Sequence, residues 1–199
     1  MSQKNNFLKE KTNRLNAKQD LSIKGSIDEP IVDLINVLNS SDKYYTTSSC
    51  SGRITVLADN TSDNTKRSVK WLYTTHTFAR FEDLMDAINI ADRPMFATFK
   101  LEAFVLHVCA DGLTAAKQLL NTAISCGFKN SGLTISKTDR IIVAVRNCQS
   151  LEIPIIRDKQ LMVTQEYLKY LIEISNQKLS KNFDKINQFY SIVKSLING

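Results

Sequence analysis

The sequence contains few of the residues that build nucleotide-binding loops. Only six of its 199 residues are glycine and three are proline. No two glycines are separated by a single residue, so the G-x-G fingerprint of βαβ dinucleotide-binding units is missing, and the Walker A loop is missing as well. These absences exclude the two commonest glycine-rich nucleotide-binding motifs.

Paired cysteines and long apolar runs are also missing. Cys50, Cys109, Cys126 and Cys148 are widely spaced and form no C-x-x-C pair, which argues against a zinc knuckle or a redox dithiol and fits a reducing cytoplasm. No apolar run approaches the length that crosses a bilayer, and the first residues lack the apolar core of a secretory signal. We therefore predict a cytoplasmic protein with no metal and no membrane association.

The overall composition is that of an ordinary globular protein with an excess of positive charge. Hydrophobic residues make up 43% of the chain and charged residues 23%. The chain is long enough for one large domain, 1–199, or two lobes divided near 92–95. The 26 basic and 20 acidic residues leave a net charge of +6, which favours a polyanionic partner such as nucleic acid.

One polar stretch stands out against this background. Small hydroxyl or thiol residues fill 46–51, and Gly52 and Arg53 follow directly, with strand-like residues on both sides. We predict a bend between two strands in which hydroxyls, freed backbone N–H groups and a guanidinium form a cradle for an anion or polar ligand. The alternative is a serine-rich tight turn that binds nothing.

Residues 46–53, with the sequence TTSSCSGR, resemble the signature of the tRNA wybutosine-synthesising methyltransferase family. Residues 20–28 are similar to the D-x-S-x-K-G-S-x-D segment of that family. Weaker similarities extend the resemblance over nearly the whole chain; they lie at Trp71, Thr75-His76, Phe104 to Val108 around His107, Gly127-Phe128 and Ile153-Pro154.

The resemblance implies an enzyme that uses S-adenosyl-L-methionine to methylate a nitrogen of 4-demethylwybutosine in phenylalanine tRNA. Two other functions remain open. The chain could be a non-catalytic module that binds tRNA and presents the modified base to another enzyme. A cysteine hydrolase based on Cys50 is the third hypothesis, although no base or orienting acid can be assigned to it by spacing.

The candidate site residues follow from the chemistry of methyl transfer, which positions donor and acceptor and removes a proton. His76 is the candidate proton acceptor because an imidazole titrates near neutral pH. Arg53 suits a phosphate or carboxylate, and Trp71 suits stacking on a base, although a strand-end ion pair and a core position are the respective alternatives. The remaining candidates for substrate or cofactor binding are Ser48, Ser49, Cys50, Ser51, Gly52 and Lys24.

The periodicity predicts a mixed α/β (α+β) protein with two loosely similar strand–helix–hairpin halves around a shared cleft and a C-terminal helical tract. Hairpins are expected at 53–76 and 132–145, and a capping box at Ser26. We also expect Asp111 to cap a helix that stops at Gly127, 151–162 to be an extended connector, and the last helical tract to divide near 180–182.

Overall fold

The computed structural model describes residues 3–16, 25–59, 69–89 and 93–198. Within these ranges the α-helices are α1 (Gln3–Leu15), α2 (Val32–Ser40), α3 (Phe81–Ile88), α4 (Leu113–Ser125) and α5 (Gln165–Asn198). The strands are β1 (Tyr44–Asp59), β2 (Val69–Thr75), β3 (Phe96–Ala110), β4 (Gly132–Ile135), β5 (Ile141–Arg146), β6 (Ser150–Arg157) and β7 (Gln160–Leu161). None of the described helices combines the length and the apolar character that a membrane span requires.

The chain forms a mixed α/β fold with antiparallel strand pairs and a long C-terminal helix, as the sequence predicted. Its residues divide into two compact units. The first unit comprises Met1–Ser51, Phe104–Cys148 and Phe183–Gly199, and the second comprises Gly52–Ala103 and Gln149–Asn182. A division near 92–95 stays a prediction, and residues 90–92 lie outside the described ranges.

In the first unit, β3 lies between β1 and β5, and β5 also pairs with β4. The inward-facing residues alternate along these strands and pack on α2, α4 and the end of α5, because every second side chain of a strand points to the same face. The ring of Phe128 lies 5.3 Å from that of Phe104 and 5.6 Å from that of Phe189. This aromatic cluster forms the centre of the unit's core.

The end of α4 shows how local sequence sets an element boundary in this unit. Gly127 has φ of +87°, a conformation that glycine adopts without steric cost. The Gly127 and Phe128 N–H groups donate to the Ile124 and Ala123 carbonyls, both at 3.0 Å, which is the Schellman pattern of a helix end. The predicted stop at Gly127 is therefore confirmed.

In the second unit, β1 pairs with β2 from the Ile54–Thr75 pair to the Asp59–Val69 pair, and β3 pairs with β6, which also pairs with β7. The first half of α5 contributes apolar side chains to the core of this unit at helical spacing; they are Leu168, Leu171, Ile172 and Leu179. Asn176 holds the segment before α3 by accepting from Ala79 N–H at 2.8 Å and donating to Ala79 C=O at 2.9 Å.

Several local predictions are confirmed. The expected hairpins at 53–76 and 132–145 form. The structure also has the helix α2 after Pro30 and the strand β3 at 96–110. Thr164 precedes α5, and its hydroxyl accepts from the Tyr167 N–H at 3.2 Å, as expected of an N-terminal cap. These elements follow from apolar periodicity and capping chemistry, which act over a few residues.

Other predictions are wrong. Residues 150–157 and 160–161 are strands rather than a connector, because β6 pairs with β3 and β7 pairs with β6. The tract 165–198 is a single helix, since Asn182 is buried within it instead of ending it. No side-chain cap bond forms at the start of the turn after Asp28, and Gly112 occupies the cap position that we expected for Asp111.

Ser175 lies in α5 with a fully buried side chain, and its hydroxyl has no hydrogen-bond partner among the described residues. Because an unsatisfied buried hydroxyl costs free energy and alanine is the better helix former, we expect Ser175→Ala to raise the free energy of unfolding by about 0.5–1 kcal/mol. Urea denaturation measures this change. The control is Ser191→Ala, whose exposed hydroxyl donates to the Asn187 carbonyl. A Ser175 variant that unfolds at lower urea than the wild type would contradict the prediction.

Candidate functional site

The signature residues 46–53 lie within β1 and do not form the predicted bend. Residues 46–51 belong to the first unit, and Gly52 and Arg53 to the second. The prediction of a loop was wrong because serine, threonine and cysteine side chains tolerate an extended backbone once neighbouring strands satisfy its hydrogen bonds. The signature therefore presents its side chains alternately on the two faces of a strand.

In the first unit, two polar side chains accept hydrogen bonds from backbone N–H groups of the signature. Asn39 accepts from the Thr46 N–H at 2.8 Å, and its amide group donates to the Thr46 hydroxyl at 3.2 Å. The buried Asp28 carboxylate, 5% exposed, accepts from the Ser51 N–H at 2.8 Å. A carboxylate bonded to a backbone N–H places a negative charge beside the middle of the signature.

His107 on β3 is the second contact point of the signature in this unit. Its Nδ1 lies 2.7 Å from the Ser48 hydroxyl, and its carbonyl accepts from the Thr47 hydroxyl at 3.2 Å. The residue is half-buried, and burial lowers its pKa from 6.5, with a further lowering by the nearby Arg146 guanidinium. This half-buried histidine is thus bonded to an exposed serine of the signature.

The lowered pKa of His107 predicts a pH dependence of stability. Below pH 6.5 the unfolded histidine binds a proton that the native imidazole resists, so the free energy of unfolding falls as the pH drops through this window. Above pH 6.5 both states are neutral and the contribution is constant. Denaturation from pH 7.5 to 5 should show a smaller decrease for His107→Asn than for the wild type. His76→Asn, at the chain's other histidine, is the control, and equal slopes for wild type and His107→Asn would contradict the assignment.

In the second unit, Arg53 lies between a carboxylate and an aromatic ring. Its Nε donates to Glu102, and its guanidinium carbon lies 4.4 Å from the centre of the Trp71 ring. The side chains of Arg53 and Glu102 are 30% and 42% exposed, and Trp71 is 38% exposed. Trp71 is therefore not a core residue. Arg53 lies within β1 rather than at its end, and it forms an ion pair with Glu102 together with a cation–π contact to Trp71.

Gly52 and His76 complete this part of the site. Gly52 has φ of +111°, and a Cβ at this position would lie 3.2 Å from the Glu102 carbonyl and from side-chain atoms of Asn182 and Leu179. Only glycine allows the strand to approach β3 and α5 this closely. The β1–β2 pairing ends at the Ile54–Thr75 pair. Arg53 precedes Ile54 and His76 follows Thr75, so both residues lie at this end of the hairpin.

Nearly the whole chain matches one known protein family. The model of that family, described as "Methyltransferase TYW3", matches residues 2–195. The chain belongs to this family.

Relatives within the TYW3 family are found from vertebrates to archaea. The chain is 40% identical to the tRNA wybutosine-synthesizing protein 3 homolog of Danio rerio over 90% of its own length and 72% of that protein. It is 41% identical to the human homolog of the same name, over 89% and 69% of the two chains. It is 32% identical to a Thermococcus sibiricus protein named tRNA(Phe) 7-((3-amino-3-carboxypropyl)-4-demethylwyosine(37)-N(4))-methyltransferase, over 96% of each.

Solved structures show the same TYW3 fold. The PH1069 protein from Pyrococcus horikoshii superimposes with a TM-score of 0.85 at 31% identity, covering 97% of this chain and 98% of that chain. A protein from Aeropyrum pernix described as hypothetical matches with a TM-score of 0.71 at 25% identity, covering 86% and 100%. The mixed α/β architecture is thus shared with archaeal proteins at low sequence identity.

The structure adds residues to the candidate site of this TYW3 protein. Asp28, Glu102 and His107 are among the side chains that bond directly to a signature residue. The resemblance of residues 20–28 pointed to Asp28, whereas Glu102 gave no local signal because it lies 49 positions from Arg53. Lys24, a predicted binding residue, lies outside the described residues.

Proposed function

We propose that this chain transfers a methyl group from S-adenosyl-L-methionine to nitrogen N4 of the 4-demethylwybutosine intermediate in phenylalanine tRNA. The observation that supports this most directly is the 32% identity to the archaeal protein named for that reaction, over 96% of both chains. The net charge of +6 suits a polyanionic substrate. None of the four cysteines forms a disulfide bond, as in proteins of the reducing cytoplasm, where we place the reaction.

The side chains of the second unit fit the chemical groups of this cofactor. The methionine part carries a carboxylate and an ammonium group, and the nucleoside part carries an adenine ring. Arg53 has five N–H donors, so it can hold a carboxylate while it remains bonded to Glu102. Glu102 offers a carboxylate to an ammonium group, and Trp71 offers an exposed aromatic face. When bound, the cofactor supplies a methyl group as an electrophile.

The remaining proposed roles belong to the chain's polar and aromatic residues. Ser48 is exposed and Ser49 and Cys50 are partly exposed, so these side chains are proposed to bond to polar atoms of the ligands. The Ser51 side chain is fully buried, which leaves it a supporting role, and Lys24 contributes positive charge. His76 accepts the proton that the substrate nitrogen releases, since a neutral imidazole is basic enough at physiological pH. Trp71 is 38% exposed and is proposed to stack on the tricyclic base or on adenine, because every nucleobase has a flat apolar face.

The experiment that tests the function is a transfer assay with methyl-labelled cofactor. The protein is incubated with phenylalanine tRNA that carries the demethylated intermediate, and we expect the label to appear in the tRNA. The control substrate is the same tRNA with an unmodified guanosine at that position, which should remain unlabelled. Tight binding of the modified tRNA without label transfer would overturn the proposal and favour the non-catalytic tRNA-binding module.

A further inference from the structure

The hydrogen bond between Ser48 and His107 joins a signature residue to a strand 59 positions away. Ser48 is exposed, whereas His107 is half-buried between β1 and β5, where it pairs with Ala144. A long-range bond that holds an exposed hydroxyl is unusual, because exposed serines can satisfy their hydrogen bonds with water. Its presence within the signature indicates that the direction of this hydroxyl matters.

The tautomer of His107 sets which atom donates in this bond of 2.7 Å. A neutral imidazole carries one proton, and when that proton is on Nε2 the nitrogen Nδ1 is an acceptor. We assign this tautomer, in which the Ser48 hydroxyl donates to Nδ1 of His107, and the NMR measurement below tests it. Burial and the Arg146 guanidinium lower the pKa of His107, which favours the neutral imidazole with a lone pair on one ring nitrogen.

The surroundings hold both members of the pair in place. The Thr47 hydroxyl donates to the His107 carbonyl at 3.2 Å, and Arg14 on α1 donates to the Thr47 carbonyl. Because a serine hydroxyl has one proton and two lone pairs, a hydroxyl that donates to His107 can offer only acceptor sites to a ligand. It is therefore suited to an N–H group and unsuited to a carbonyl or phosphate oxygen.

We propose that His107 is a positioning residue that orients the Ser48 hydroxyl, so that Ser48 acts as a hydrogen-bond acceptor for an N–H donor of the bound ligand. The inference rests on the proposed function, which supplies two ligands with N–H donors. These are the ammonium group of the cofactor and the N–H groups of the modified base. His107 itself does not touch the ligand.

Four variants test whether His107 acts through Ser48. Ser48→Ala removes the acceptor, and His107→Phe keeps a ring without a hydrogen-bonding nitrogen. His107→Asn places a neutral acceptor near the position of Nδ1 and is the matched control. We expect Ser48→Ala and His107→Phe each to weaken ligand binding about tenfold, which corresponds to about 1.4 kcal/mol. His107→Asn should stay within about twofold of the wild type, and the Ser48→Ala, His107→Phe double variant should bind no more weakly than Ser48→Ala alone.

Two binding measurements distinguish the sources of the N–H donor. Calorimetry with S-adenosylhomocysteine, the demethylated cofactor, reports on the ammonium group, and filter binding with the modified tRNA reports on the base. A tenfold loss in one assay alone identifies the partner of Ser48. Unchanged affinity in both assays, or losses that simply add in the double variant, would overturn the proposal, because His107 would then have no effect through Ser48.

Nitrogen NMR of the histidine rings provides a readout that requires no ligand and no activity. We expect Nδ1 of His107 to show the shift of an unprotonated acceptor nitrogen, with the proton on Nε2, and Ser48→Ala to move the Nδ1 signal. A proton on Nδ1 in the wild type would overturn the proposal even if His107→Phe does not fold. If the wild type transfers no methyl group, the proposed function fails, whereas the NMR result still tests the pair.

Discussion

Replacing Gly52 by alanine is expected to lower the free energy of unfolding by about 3 kcal/mol. The backbone at Gly52 has φ of +111°, a conformation that residues with a Cβ rarely adopt. The added Cβ would also lie 3.2 Å from the Glu102 carbonyl oxygen, a backbone atom that cannot rotate away. Strain and crowding therefore act together, and chemical denaturation of the variant measures their sum.

Two other glycines separate these causes. Gly25 also has a positive φ, +69°, but a Cβ there would meet no atom within 4 Å. Gly132 has open space and no positive φ, so alanine is expected to be tolerated there. We expect about 1 kcal/mol of destabilisation for Gly25→Ala and less for Gly132→Ala. If Gly52→Ala is no less stable than Gly25→Ala, the close approach of β1 to its neighbours contributes nothing.

Replacing Arg53 by alanine is expected to lower kcat/KM for methyl transfer about a hundredfold, which corresponds to roughly 3 kcal/mol. The variant loses the guanidinium proposed to hold the cofactor carboxylate and leaves Glu102 without its positive partner. Its stability should change by less than about 1 kcal/mol, because the ion pair is partly exposed. Arg53→Lys should recover only part of the activity, since an ammonium group lacks the planar fork of donors.

The matched control is Arg157→Ala in the same unit. Arg157 lies at the end of β6, its side chain is 70% exposed, and its partner is the neighbouring Asp158. Steady-state assays of both variants, with calorimetric binding of S-adenosylhomocysteine, should show a loss for Arg53→Ala alone. Equal activities of the two variants would mean that the guanidinium of Arg53 serves only its contacts with Glu102 and Trp71.

The elements that the sequence predicted well are those set by neighbouring residues. The apolar residues of α2 recur at helical spacing, and a polar stretch at 60–65 separates the two strands of the β1–β2 hairpin. Both patterns can be recognised within a few neighbouring residues. The end of α4 was predictable because Gly127 stands where a helix needs a positive φ. Such signals require no knowledge of the rest of the chain.

The candidate site was only partly predictable because its geometry depends on distant residues. The composition of 46–53 is compatible with a turn, and only the pairing of β1 with neighbouring strands makes it extended. The partners of Ser48 and Arg53 lie 59 and 49 positions away. A single sequence suggests candidate ligand-binding residues, but it does not record which distant groups hold them in position.

The continuity of β1 through the signature limits how this protein can be altered. A substitution changes one side chain. An insertion or deletion of one residue between Ser48 and Arg53 would instead turn every following side chain of β1 to the opposite face of the strand. Either Ser48 would then lose its hydrogen bond to His107, or Arg53 would lose its ion pair with Glu102. Engineered versions must therefore keep the length of this segment as well as the residues Ser48, Gly52 and Arg53.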